Sequence, residues 1–159
     1  MKYFIGNWKM FGVPKSVNIL NKINSYYSRD KNRNKYKVII TPPYTLIESY
    51  SKYFKNKKIS IGAQNCYQKE QFSSNTAAIS PYMLKSVGAK YTLVGHSDNR
   101  GEGDSDSMLK DKVKYAIKNN LKVVFCIGEN KIEKKNKKTL NVLKKQLTKV
   151  LEKKFNKNN

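Results

Sequence analysis

His96 is the only histidine among 159 residues, and it follows Gly95 directly behind an apolar, β-branched run, Tyr91-Thr92-Leu93-Val94. Imidazole donates or accepts hydrogen bonds and changes charge near neutral pH, yet a lone histidine at a strand end is by default a satisfied polar residue. The rest of the chain shifts that balance. Other apolar runs also end in polar clusters: Asn7-Trp8-Lys9, Ala63-Gln64-Asn65 and Cys126-Ile127-Gly128-Glu129. If these ends share one face, a titratable imidazole stands among an ammonium, side-chain amides and carboxylates, which is the equipment of a catalytic site. Cys66 and Cys126 have no second Cys or His at ligand spacing, so neither a metal site nor a disulfide framework is indicated and reduced thiols are expected.

Five short strands have to position these clusters. Residues 3–8, 37–42, 58–65, 91–94 and 122–128 read as strands by their β-branched and aromatic content. Helix-period segments separate them. Pro14 and Ser16 are start signals for a stripe of Val17, Leu20, Ile23 and Tyr27; residues 46–54 and 81–87 form two shorter helices. Ser105 or Ser107 caps a helix carrying Leu109, Val113, Ala116 and Ile117. The last segment, residues 131–155, reads as one basic surface helix with Leu140, Leu143, Leu147, Val150 and Leu151 on its apolar side. Strand-helix alternation of this kind implies parallel crossovers, hence a doubly wound sheet or part of a (β/α)8 barrel, and spacing alone leaves both open. In either, ligands bind beyond the carboxyl ends of the strands.

One domain covering residues 1–159 is expected, without linker or low-complexity segment. No run of 18 apolar residues occurs, and Asn7, Trp8 and Lys9 interrupt the stretch a signal peptide would need, so the chain reads as cytoplasmic. The net charge of +22 raises nucleic-acid or anionic-surface binding. Its distribution argues against both: the lysines are spread over every segment and accompany many Asn, Ile and Tyr, as an A/T-rich coding bias would produce.

Four strings in order, "GNWKM" (6–10), "GAQN" (62–65), "YTLVGHSDNR" (91–100) and "CIGE" (126–129), resemble the successive strand-end motifs of the triosephosphate isomerase family. The resemblance spans the chain. It implies a TIM barrel, a soluble enzyme of glycolysis and gluconeogenesis that interconverts dihydroxyacetone phosphate and glyceraldehyde 3-phosphate through an enediolate, no metal or organic cofactor, and a homodimer. Carried over residue by residue, it makes His96 the neutral electrophile that polarises the substrate carbonyl, a device that belongs to the family. A helix starting just after the strand would favour the uncharged ring. The resemblance makes Lys9 a catalytic residue too, the fixed charge that attracts the phosphate and stabilises the enediolate, and Asn7 a substrate-binding residue; alternation along a strand would point the two the same way. Asp98 stands where the family has a glutamate that pairs with the lysine, and Cys126 supports packing near the site.

The departures define what is open. Asp98 is one methylene short, Asn99 replaces an arginine while Arg100 is kept, and the loop of residues 73–80 retains Thr76, Ile79 and Ser80 but has Ala78 where a glutamate belongs. That loop enters the neighbouring subunit in the family, so dimer contacts through Thr76 are implied with altered polar partners. The Gly101-Glu102-Gly103 turn is too short to be a phosphate cradle. Relatives run to about 250 residues and eight strands. About five parallel βα units are found here, so the resemblance implies an incomplete barrel without the strand bearing the catalytic glutamate or the glycine-rich phosphate turns. The expectation is a truncated chain, inactive by itself, with no general base of its own. The rival reading is a non-catalytic relic of a barrel that binds anions or nucleic acid; another is a different sugar-phosphate enzyme on a doubly wound sheet.

Overall fold

A computed structural model describes residues 1–151. Five strands, β1 (Lys2–Asn7), β2 (Tyr36–Thr41), β3 (Ser60–Ala63), β4 (Tyr91–Val94) and β5 (Lys122–Phe125), form one sheet in the order β1-β2-β3-β4-β5, every pairing parallel. Each strand lies beside its sequence neighbour and the order never reverses. A doubly wound sheet needs such a reversal at its switch point, so the winding is that of a barrel wall. No helix among the described residues is long and apolar enough to cross a membrane.

Among the described residues seven α-helices connect or follow the strands: α1 (Val17–Arg29), α2 (Tyr44–Tyr53), α3 (Pro81–Ser86), α4 (Ser97–Gly101), α5 (Asp106–Lys118), α6 (Lys131–Lys135) and α7 (Thr139–Val150). Ser80 Oγ accepts the Met83 N–H and Ser105 Oγ accepts the Met108 N–H, so serine caps start α3 and α5 and Ser105 is the cap residue. The core lies between the sheet and these helices. Leu20 of α1, Leu46 and Ile47 of α2, Leu84 of α3 and Leu109 and Val113 of α5 are buried against Ile40, Ile61, Ala63 and Val94 of the strands. All four residues of β4 are buried, as expected for a strand with neighbours on both sides. At the edge, β1 leaves Tyr3, Phe4 and Ile5 exposed.

The strands begin or end one to three residues away from the sequence expectation, except β4, which matches it. The final segment differs more. It is two helices rather than one, because the polar stretch Asn136-Lys137-Lys138 has no apolar residue to hold it on the core and Lys137 adopts a left-handed φ of 56°. Of the anticipated stripe only Val150 is fully buried; Leu140 is 81% exposed because it lies on the first turn of α7, beyond the reach of the core. The part of that segment beyond residue 151 lies outside the described residues.

The register brings the carboxyl ends of neighbouring strands to within two residues of one another. Asn7 pairs with Thr41, Ala63 with Thr92 and Val94 with Phe125. Residues that follow these positions therefore emerge on one rim.

Candidate active site

β1 ends at Asn7, and Lys9 lies not on the strand but in the turn after it, with a left-handed φ of 51°. For a side chain with a Cβ this conformation costs roughly 1–2 kcal/mol. Two side chains hold it. Asn7 Oδ1 accepts the Lys9 N–H at 2.9 Å, and Gln64 Nε2 donates to the Lys9 carbonyl at 2.8 Å and to the Thr41 carbonyl at 2.9 Å. Alternation along a strand is thus the wrong reason for Asn7 and Lys9 to meet; a tight turn brings them to the same cleft. The loop beyond is packed down as well. Gly12 (φ 116°) lies so close to Trp8 that a Cβ would stand 2.8 Å from the indole, and the Tyr50 hydroxyl donates to the Val13 carbonyl.

At the end of β4, Gly95 (φ 78°) makes the turn; a Cβ there would meet Arg100 Nη2 at 2.9 Å and the Cys126 carbonyl at 3.1 Å. His96 then caps α4, its Nδ1 accepting the Asp98 N–H at 3.2 Å. That bond requires a lone pair on Nδ1, so the ring hydrogen belongs on Nε2. The Asp98 carboxylate is 3.6 Å from the same nitrogen, outside hydrogen-bond reach, and does not compete. Asp98 instead faces Lys9 Nζ at 3.3 Å. Both side chains are more than half exposed, so this pair contributes orientation rather than much stability.

Asn7, Lys9, Gln64, Asn65, His96 and Asp98 line one open cleft of about 500 Å³. Four of the residues singled out by sequence, Asn7, Lys9, His96 and Asp98, are brought together there. Cys126 is not among them: it lies beyond His96 in a second, more polar hollow with Gly128 and Glu129. Its N–H donates to the Val94 carbonyl, and burial raises its thiol pKa. Thr76 is exposed in the loop between β3 and α3 and lines neither hollow.

Sequence reasoning missed three contributors. Gln64 is one. Arg100 is another: Nε donates to the Gly95 carbonyl and Nη2 to the Cys126 carbonyl, tying the ends of β4 and β5 together. The third is Lys112 of α5, whose Nζ reaches both Asp104 oxygens at 2.7 Å and Asn65 Oδ1 at 3.1 Å while the residue is only 3% exposed. A signal existed, since Lys112 stands three residues after Leu109 and next to Val113 on the apolar side of its helix.

The cleft offers an N–H donor at His96 Nε2, a cation at Lys9 and an amide at Asn7 whose oxygen is already spent on the Lys9 backbone. These groups can hold a small anion and polarise a carbonyl oxygen.

The family model described as triosephosphate isomerase matches residues 2–159. Triosephosphate isomerase of Wolbachia pipientis wMel is 39% identical over 143 residues, covering 89% of this chain and 55% of that protein. The enzyme of Yarrowia lipolytica is 36% identical over 154 residues, covering 95% of this chain and 60% of its own length. The crystal structure of triosephosphate isomerase from Bartonella henselae superimposes with a TM-score of 0.88 at 33% identity, over 96% of this chain and 62% of that one. The chain spans about 55–60% of the length of the curated relatives it matches.

Proposed function

The chain belongs to the triosephosphate isomerase family, and from that premise we propose that it supplies the substrate-polarising half of a site that interconverts dihydroxyacetone phosphate and glyceraldehyde 3-phosphate. The convergence of His96, Lys9 and Asn7 on one cleft carries this reading. His96 Nε2–H donates to the substrate carbonyl and then to the enediolate oxygens; Lys9 attracts the phosphate and offsets developing negative charge; Asn7 helps hold the substrate. Asp98 orients Lys9, and Cys126 packs beneath the rim.

Isomerisation also needs a base that takes the proton from one carbon and returns it to the next. The carboxylates beside the second hollow are otherwise occupied: Glu129 accepts from Thr139, and Glu133 closes the capping box of α6. We assign the base, as the family resemblance implies, to a carboxylate outside residues 1–159, on a segment that pairs with a free edge of the sheet. Residues 1–159 act as one unit of the complete protein. In that protein the loop carrying Thr76 enters a second copy to make a homodimer, and the enzyme works in the cytoplasm.

Assaying the 159-residue chain alone, and fused to the carboxyl-terminal remainder of a triosephosphate isomerase, tests the proposal. The chain alone is expected to leave glyceraldehyde 3-phosphate at the buffer rate, and the fusion to restore turnover that His96→Ala abolishes. Turnover by the chain alone, lost on His96→Ala, would overturn the assignment of the base. A salt-sensitive shift of DNA with no response to triose phosphate would instead favour an anion-binding role for the +22 surface.

A further inference from the structure

We propose that Gln64 is a positioning residue for Lys9: its side-chain amide locks the left-handed turn from which the ammonium reaches over the cleft. This rests on the reading that Lys9 binds the substrate phosphate.

The two hydrogens of one NH2 group are spent on two carbonyls of the rim, Lys9 O at 2.8 Å and Thr41 O at 2.9 Å. The Thr41 carbonyl also accepts the Trp8 N–H at 3.1 Å. Gln64 thus fastens the turn after β1 to the end of β2, and it does so from β3, whose last residue, Ala63, is fully buried. The anchor is in the core and the load is at the surface. Lysine has no intrinsic preference for φ near 51°. Released from its carbonyl partner, residue 9 relaxes toward the extended or right-handed region, and its side chain leaves the direction of Asp98 and the cleft. The opposing Asn7 bond fixes only the N–H side of the same peptide plane pair. Chemistry, not size, makes the residue suitable: glutamate has the same shape and reach but at neutral pH has only acceptors to offer two carbonyl oxygens.

The decisive variant is accordingly Gln64→Glu in the full 159-residue chain, with Gln64→Leu beside it. Two readouts are taken by NMR: the Lys9 13Cα and 13Cβ shifts, which report a left-handed backbone, and the response of the Lys9 ε-methylene to inorganic phosphate. Both variants are expected to lose the left-handed signature and to bind phosphate at least fivefold more weakly, while the amides of β4 and α5 keep their shifts. Retention of the signature and of phosphate affinity in Gln64→Glu would overturn the proposal, because packing would then suffice. If Lys9 in the unaltered chain ignores phosphate, the substrate-binding reading of Lys9 fails, and the backbone signature still decides the clamp. Should Gln64→Glu unfold the chain, the comparison moves to Lys9→Gly. Glycine takes the left-handed turn without strain, so adding Gln64→Glu to Lys9→Gly is expected to cost less stability than adding it to the unaltered chain, the remaining loss being that of carbonyls left without their donor; an equal loss in both backgrounds would refute the clamp.

Discussion

Lys112 Nζ lies 2.7 Å from both carboxylate oxygens of Asp104, and the two side chains are 4% and 9% exposed. The pair joins α5 to the loop after α4, and through Asn65 it reaches the lining of the candidate cleft. A buried pair of this kind is harder to break than to replace, since removing one partner strands the other charge away from water. Lys112→Met is expected to destabilise the fold by about 3–5 kcal/mol, and Lys112→Met with Asp104→Leu to recover much of that loss. Urea unfolding of the two variants checks this. An equal loss in both would mean that the charges are solvated well enough to stand alone.

The order of the elements, the rim clusters and the meeting of His96 with Lys9 and Asn7 were legible because they rest on local patterns: β-branched runs, turn residues after them and helix-period stripes between them. What was not legible is long-range. Gln64 and Lys112 act on residues 55 and 47 positions away in sequence, and nothing local to either announces the partner. The break in the final basic segment was missed for another reason. Its leucines keep helical spacing through residues 140–151, but the spacing cannot reveal that the core reaches Val150 and not Leu140, which is left 81% exposed.

Burial pushes the Cys66 thiol up to about 12 from an ordinary value near 9. Between those values the unfolded chain has lost the thiol proton and the folded chain keeps it. The folded state then binds more protons, so stability falls as pH rises through that window and is unaffected below it. The slope from one such group is at most about 1.4 kcal/mol per pH unit. Burial raises Tyr50 and Tyr91 as well and adds to the same trend. In a Cys126→Ser background at pH 9, Cys66 is expected to react with a thiol reagent only as fast as the chain opens, and denaturant to accelerate it. Rapid labelling without denaturant would show that Cys66 is reached in the folded state.

β1 and β5 each have a neighbour on one side only, and Tyr3 and Ile5 share the face of β1 that Asn7 occupies, at 51% and 38% exposure for the first two. Open parallel edges with apolar side chains invite pairing with another chain. The net charge of +22 opposes it through repulsion that salt screens. Association of the 159-residue chain is therefore expected to rise with ionic strength, and Ile5→Lys, which places a charge on that face, to suppress it. Sedimentation at low and high salt gives the answer. A monomer at both, with no binding of a hydrophobic dye, would contradict the prediction.

On the proposed function, the two principal side chains are expected to fail differently in the fusion protein. The His96 Nε2–H bond strengthens as charge gathers on the substrate oxygen, so it favours the transition state over the bound substrate. His96→Ala should then lower kcat by about 10²–10³-fold, the range for losing one donor to a developing oxyanion, with little change in KM. On the proposed function, Lys9 faces the phosphate in both states and the enediolate in one. Lys9→Ala should therefore raise KM and lower kcat together. Asp98→Glu discriminates further, because Asp98 already approaches Lys9 to 3.3 Å in an exposed pair and a longer acid adds reach without adding burial. It should leave both constants within about twofold, in keeping with the small worth of exposed ion pairs. Steady-state assays of the three variants in the fusion protein decide the matter. A His96→Ala defect confined to KM would move histidine from polarising the carbonyl to holding the ground state.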